Sequence, residues 1–482
     1  MVDKAGNWAQ AAHSISSERF AMMRLPSVYA LLAVAAVVTA SAEDFPLTFR
    51  TIPAQDLRSF PNGAGSSALM SSEKPATLRQ EPKAMSRHPL YGAGGSVRIG
   101  GSFVFRLDES KGDGKGYDQL IVDMNRNGDL TDDPVTENII WPSDRGEVQH
   151  GGRLFGPIQV PADRSVAGGR PVYFAQVYFL NRQNLSSGRR TPNTLSAHLM
   201  FKAGWYLDTT VKVDGLEQKV GVIDADANLR LGDVSQPQTR TNRGEKSWFF
   251  WSGDFLLVDA DGSGRFDSEL FLREVRPFSP ILYLGSKAYQ VALTADYKSL
   301  RVEPWPEPLA EVALQPRGEQ VRNISLAWEC PNGQWQRILP AVTNGKVMVP
   351  SGSYRLLDCD LLGRRAPGDQ VVVLGIQSIP QTPMTFAAGK ANTLGCGGPL
   401  QIKVTATKTS APGRGILSRY FGAAWAGSDP LLNINATVAG AGGEVYSTFL
   451  TGERLNSWPP KPTFSIVQAG GKTVATGNLE YG

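Results

Sequence analysis

The stretch Asp123-Met124-Asn125-Arg126-Asn127-Gly128-Asp129-Leu130-Thr131-Asp132-Asp133 sets oxygen-bearing side chains at alternate positions ahead of a glycine, directly after the apolar run Leu120-Ile121-Val122. Hard divalent cations ask for that spacing. Calcium takes about six to eight oxygens, and a short loop can wrap around it only if a tight turn follows the first donors. The same frame returns at Asp259-Ala260-Asp261-Gly262-Ser263-Gly264-Arg265-Phe266-Asp267-Ser268-Glu269, behind Phe255-Leu256-Leu257-Val258. Both loops carry glycine at the sixth position and an apolar residue at the eighth. A third copy, Asp224-Ala225-Asp226-Ala227-Asn228-Leu229-Arg230-Leu231-Gly232-Asp233, follows Val220-Gly221-Val222-Ile223 and has Leu229 where the turn glycine belongs.

Outward from these loops, apolar and β-branched residues come in short runs bounded by Gly, Pro, Asn and Asp. Examples are Ser102–Leu107, Val172–Leu180, Trp205–Val213 and Ser299–Glu303. No sustained helical period interrupts residues 43–302, so an all-β, strand-rich domain is expected there. The run Glu303-Pro304-Trp305-Pro306-Glu307-Pro308 resists helix and sheet alike, and residues 303–310 read as a semi-rigid linker. Beyond it, turns at Pro331-Asn332-Gly333, Asn344-Gly345 and Pro350-Ser351-Gly352 separate short strands over 311–398, the spacing of a small β-sandwich. Alternation resumes at Gln401–Ala406, and 399–482 reads as a second such module. Cys330, Cys359 and Cys396 all lie in this half. A Cys330–Cys359 bridge and three buried free thiols are both open readings.

At the other end, Met23-Arg24 leads into the apolar stretch Val28–Val38 and the small residues Thr39-Ala40-Ser41-Ala42. That order describes a secretory signal peptide over 1–42, with an over-extended start ahead of Met22 or Met23. The expected compartment is secreted or periplasmic in a bacterium, where calcium is available. No later run is long enough to cross a bilayer once the signal is removed. A formal charge of +4 over 482 residues, with Lys and Arg scattered, argues against a nucleic-acid partner.

The D-x-[DN]-x-[DNS]-G core is similar to the calcium loops of dockerins and thrombospondin-type repeats, and is EF-hand-like without an EF-hand's helices. An EF-hand closes its sphere with a glutamate at position twelve, where this chain has Pro134 and Leu270. The resemblance implies instead a carboxylate close by, Asp132 or Asp133 in the first loop and Asp267 or Glu269 in the second. The ligand sets are then Asp123, Asn125, Asn127, the Asp129 carbonyl and Asp132 or Asp133; Asp259, Asp261, Ser263, the Arg265 carbonyl and Asp267 or Glu269; and, in the weaker loop, Asp224, Asp226, Asn228 and Asp233. Val349-Pro350-Ser351-Gly352-Ser353-Tyr354 resembles a hairpin of prealbumin-like and carboxypeptidase-regulatory-like modules, in keeping with Ig-like or prealbumin-like sandwiches. The block Leu107–Asp133 as a whole resembles secreted bacterial proteins of unassigned activity.

His88, His150 and His198 stand in no metal-ligand spacing, and no GxSxG elbow or phosphate loop occurs. These observations favour a calcium-stapled binding or structural protein with a glycan or envelope protein as partner, rather than an enzyme. A polysaccharide hydrolase and a carbohydrate-binding protein are the alternatives.

Overall fold

The computed structural model describes residues 42–57, 60, 67–94, 103–112, 116–139, 153–160, 165–180, 196–235, 237–242, 245–250, 253–266, 274–315, 320–364, 370–376, 383–397, 400–409, 431–440, 445–451, 461 and 463–478. The signal peptide reading over 1–42 falls almost wholly outside them, as do Asp267 and Glu269. Among the described residues the protein is all-β: strands in several sheets, no α-helix, and a single 3-10 turn at Ala54–Asp56. None of these residues forms a helix long and apolar enough to cross a membrane.

Leu90–Gly94, Phe103–Asp108, Gln119–Val122, Val135–Ile139, Arg153–Gln159, Val172–Leu180 and Ser196–Ala203 follow one another as an antiparallel meander, and Ser67–Met70 lies against the last of them. Mutual backbone bonds between Ser71 and Tyr91, 2.8 and 2.7 Å long, tie the two ends of this eight-stranded sheet together, so it closes into a barrel. Closure removes the unpaired edges that an open sheet would leave. Phe105, Leu107, Leu120, Val122, Leu199 and Phe201 fill the inside. On the opposite face Tyr91, Val104 and Ile121 are covered by Leu78 and by Leu130, the apolar eighth residue of the first loop. That explains why Leu120-Ile121-Val122 is apolar without alternation: the loop that follows the strand folds back over its outer face.

Beside the barrel, a five-stranded sheet runs Thr48–Thr51, Trp205–Val213, Leu216–Ile223, Phe255–Val258, Val275–Pro277. A four-stranded sheet runs Glu43–Pro46, Ser299–Pro304, Lys287–Leu293, Ile281–Leu284. All four residues of Ile281–Leu284 are buried. Leu282 and Leu284 join the core of the N-terminal part, whereas Ile281 and Tyr283 join the core of the part that follows. The proline-rich run is accordingly docked. The Trp305 N–H donates to the Ala288 carbonyl at 3.0 Å, and the Trp305 ring meets Trp328 edge-on at 5.9 Å.

Downstream, a three-stranded sheet packs Ala310–Leu314 between Lys346–Val349 and Asn392–Leu394. The second sheet passes from Trp335–Ile338 through Gln320–Glu329, Gly352–Arg364, Gln370–Ile376, Val445–Thr451 and Leu431–Ala439 to Gln401–Thr409. Its ladder between Gln370–Ile376 and Val445–Thr451 joins segments on either side of residue 398, where the sequence points to a module boundary. Tyr354 is fully buried and its hydroxyl donates to the Pro350 carbonyl; Gly352 is required because a Cβ there would lie 2.9 Å from the Trp328 indole nitrogen. Cys330, Cys359 and Cys396 are buried free thiols.

Since one strand serves two cores, the N-terminal part and the part built on residues 310–397 are expected to unfold together. Calorimetry should give one transition for both, and Tyr283→Ala should destabilise both at once by about 3–5 kcal/mol. Two separate transitions would contradict the shared strand.

Candidate metal centre

All three acidic loops adopt one backbone conformation. Positions four and six are left-handed in each: Arg126 and Gly128 at φ 63° and 78°, Gly262 and Gly264 at 72° and 77°, Ala227 and Leu229 at 56° and 65°. The first aspartate then accepts the sixth N–H: Gly128 to Asp123 at 2.9 Å, Gly264 to Asp259 at 2.8 Å, Leu229 to Asp224 at 2.8 Å. The fifth side chain accepts the seventh N–H, from Asp129 to Asn127 at 2.7 Å, Arg230 to Asn228 at 2.7 Å and Arg265 to Ser263 at 3.3 Å. Leu130, Phe266 and Leu231, the eighth residues, are buried. Leu229 therefore occupies a conformation that suits glycine, at a cost of roughly 1–3 kcal/mol that the surrounding contacts sustain.

Strand pairing adds a further carboxylate to each loop. Leu216–Ile223 and Phe255–Val258 are antiparallel neighbours with Ile223 opposite Phe255, so Asp254, one residue before the second strand, stands beside the loop that leaves the first. At the other end of the same short strand the Asp259 loop departs, and Val275–Pro277 pairs alongside, which brings up Glu274. In the first loop Asp133 precedes Val135–Ile139, the neighbour of Gln119–Val122. These three acids are equivalent in their contacts. Each accepts the N–H of its loop's second residue: Met124 to Asp133 at 3.2 Å, Ala225 to Asp254 at 3.1 Å, Ala260 to Glu274 at 3.2 Å.

Among the described residues the result is two groups able to hold a metal ion. Asp224, Asp226 and Asp254 present carboxylate oxygens within 4.8 Å of one another, as do Asp259, Asp261 and Glu274. Every residue of the first group is buried; in the second, Asp259 and Glu274 are buried and Asp261 is exposed. Burial pushes Asp254 well above the usual carboxylate range, with the Asp224 and Asp226 charges adding to it. Asp224 is pushed up to about 7, chiefly by burial, against a hydrogen bond donated by the Tyr173 hydroxyl of the barrel. Several buried carboxylates side by side must bind protons or a cation, since neither desolvation nor mutual repulsion allows them to stay bare. Oxygen is the only donor type, which suits hard cations over zinc or copper.

The first loop brings its donors together differently. Asn125 and Asn127 both donate through Nδ2 to Asp132, at 3.0 and 2.8 Å, and Asp129 accepts from Thr131. Asp133 lies next to Asp123, Asp129 and Asp132, and burial first, then those charges, raise it to about 7. Gly128 is braced from outside: its carbonyl accepts from Arg79 N–H at 2.7 Å, and a Cβ would lie 2.6 Å from the Thr77 carbonyl.

Of the residues expected from sequence, Asp224, Asp226, Asp259 and Asp261 fall within the two groups. Asn228 sits in the third loop with its amide donating to Asp233, and Asp254 joins Asp224 and Asp226 in the cluster. Ser263 and the Arg265 carbonyl are 3.4 Å apart on the rim of the second loop. Asp254 and Glu274 escape a reading along the chain, although each stands immediately ahead of a strand in the way Asp133 nearly does. Asp108, at the end of the strand Phe103–Asp108, and Asp118, just ahead of Gln119–Val122, hold backbone: Asp108 accepts from the Met85 and Ser86 N–H groups, and Asp118 from that of Ser110. Comparisons with protein-family models, curated proteins and solved structures gave no match.

With metal withheld, the raised carboxyl of Asp224 is protonated in the folded chain and ionised in the unfolded chain between the ordinary 3.8 and about 7. The protons held by the native state stabilise it at low pH, and that stability is lost as pH rises through this window. The melting temperature of chelator-treated protein should fall from pH about 4 to about 7, and Asp224→Asn should flatten the fall. An unchanged slope in Asp224→Asn would remove this carboxyl from the account.

Proposed function

We propose that the chain is a secreted or periplasmic calcium-stapled β protein of the bacterial envelope, with a binding or structural role rather than a catalytic one. The observation that carries this reading is the convergence of three carboxylates, all buried at Asp224, Asp226 and Asp254, and two of them buried at Asp259, Asp261 and Glu274. Three carboxylates crowded together repel one another and give up hydration, and a divalent ion offsets that cost directly. Calcium is favoured over magnesium in this reading because carboxylates drawn from separate segments of the chain make an irregular donor set, whereas magnesium demands a near-ideal octahedron. The N-terminal order of basic, apolar and small residues supports export to a compartment with calcium.

In this reading the ions act as staples. Each joins the loop leaving one strand to the residue that opens its neighbour, so the loaded sites fasten Leu216–Ile223, Phe255–Val258 and Val275–Pro277 at their ends. At free calcium ten times the dissociation constant, a filled site adds about 1.4 kcal/mol of stability.

Calorimetric titration of chelator-treated protein with calcium should show saturable binding, accompanied by a rise in melting temperature. Asp254→Asn and Glu274→Gln should each abolish or weaken one site by at least about tenfold, the loss of one carboxylate ligand costing about 1.4 kcal/mol or more. Melting indifferent to chelator, with no heat of calcium binding, would overturn the proposal.

A further inference from the structure

The first loop stands at the mouth of a cleft. Val135–Ile139 and Arg153–Gln159 pair only at Asn138 with Phe155 and at Ile139 with Leu154. Carried one and two steps further, that register sets Glu137 against Gly156 and Thr136 against Pro157, and there the ladder stops. Pro157 has no N–H to give a neighbouring strand. Gly156 is pressed inward, a Cβ there falling 2.3 Å from the Phe174 ring, and the register of Arg153–Gln159 against Val172–Leu180 shifts between Phe155 and Ile158. The barrel wall therefore parts, leaving a cleft of about 520 Å³ whose lining includes Asn125, Asp133, Glu137, Gln159 and Arg170.

The chemistry of this lining selects among ligands. Glu137 supplies a carboxylate, and the Oδ2 of Asp133 is a buried acceptor with no hydrogen-bond donor among the described residues. Arg170 supplies a guanidinium held in place by its Nε bond to the Val160 carbonyl at 2.6 Å. Asn125 and Gln159 offer amides, while Val135, 48% exposed, and Pro157 offer small apolar surfaces between the polar groups. A cation attracted to Asp133 and Glu137 is repelled by Arg170, and an anion meets the reverse. A neutral ligand with alternating hydroxyl groups and C–H faces satisfies donors, acceptors and apolar surface together.

We propose that this cleft binds a neutral saccharide of one or two rings, its hydroxyls paired with Glu137, Gln159 and Arg170. The proposal rests on the calcium reading in one respect, the sequence pattern that makes the first loop a third calcium loop: Asn125 and Asp133 belong both to that loop and to the cleft wall, so an ion held there fixes that wall. Calcium loading is then expected to strengthen saccharide binding.

The test uses the full chain in calcium and in chelator, screened against immobilised neutral di- to tetrasaccharides and then titrated calorimetrically with cellobiose, maltose and N,N′-diacetylchitobiose. Expected is saturable binding of at least one neutral glycan in calcium and weaker binding in chelator. Glu137→Gln and Arg170→Lys should each lower affinity about tenfold, the scale of a lost hydrogen bond to a charged group, with melting temperature and calcium affinity retained. Normal calcium binding with no glycan bound would overturn the saccharide proposal and leave the metal reading standing. Glycan binding unaltered in both variants, or selective binding of charged sugars alone, would equally overturn it. Absence of calcium binding with glycan binding intact would remove the metal reading and spare the cleft.

Discussion

Everything distinctive in this molecule depends on one constraint: an antiparallel ladder fixes which residue stands beside the loop at a strand's end. Hydrogen bonding of Ile223 opposite Phe255 leaves Asp254 no place but next to Asp224 and Asp226. The same strand, only four residues long, delivers Asp259 at its far end, where Val275–Pro277 supplies Glu274. Backbone pairing thereby forces like charges together in surroundings that disfavour charge. The ladder holds the carboxylates close, and a cation between them relieves the repulsion.

The loops are shaped by their own backbone as well as by any ion. Their first aspartates are engaged by backbone N–H groups, their fourth and sixth residues are locked left-handed, and their eighth residues are plugged into apolar surface. Leu229 and Ala227 hold left-handed conformations without glycine's freedom. Such local strain persists where the rest of the fold fixes it, and here the Leu231 anchor and the Asp224 hydrogen bonds do so. Around these loops the cores are continuous. The barrel donates Tyr173 to Asp224, and Ile281–Leu284 divides its side chains between two cores. Local events at the loops are thus placed to affect the stability of a large part of the chain.

The all-β class was legible in the sequence because strand runs alternate or are bounded by turn residues, and the loops were legible because their donors lie within about a dozen consecutive positions. Leu229 misled, since glycine is the usual marker of the sixth position and the backbone adopts that shape without it. Asp254 and Glu274 were hidden for a different reason. They join the loops through strand pairing, 29 and 14 residues from the N–H groups they accept, and no local spacing encodes that register. The same applies to barrel closure at Ser71 and Tyr91, and to the sheet that continues across residue 398. The proline run offered the right local chemistry for a spacer, but Trp305 supplies an aromatic surface that packs on Trp328.

The most direct measurement is a crystal structure of calcium-loaded protein with anomalous scattering recorded at long wavelength. The account predicts anomalous peaks between Asp224, Asp226 and Asp254, and between Asp259, Asp261 and Glu274, each ringed by oxygens at about 2.3–2.6 Å. Well-ordered carboxylates with no peak at either position in calcium-rich crystals would contradict it.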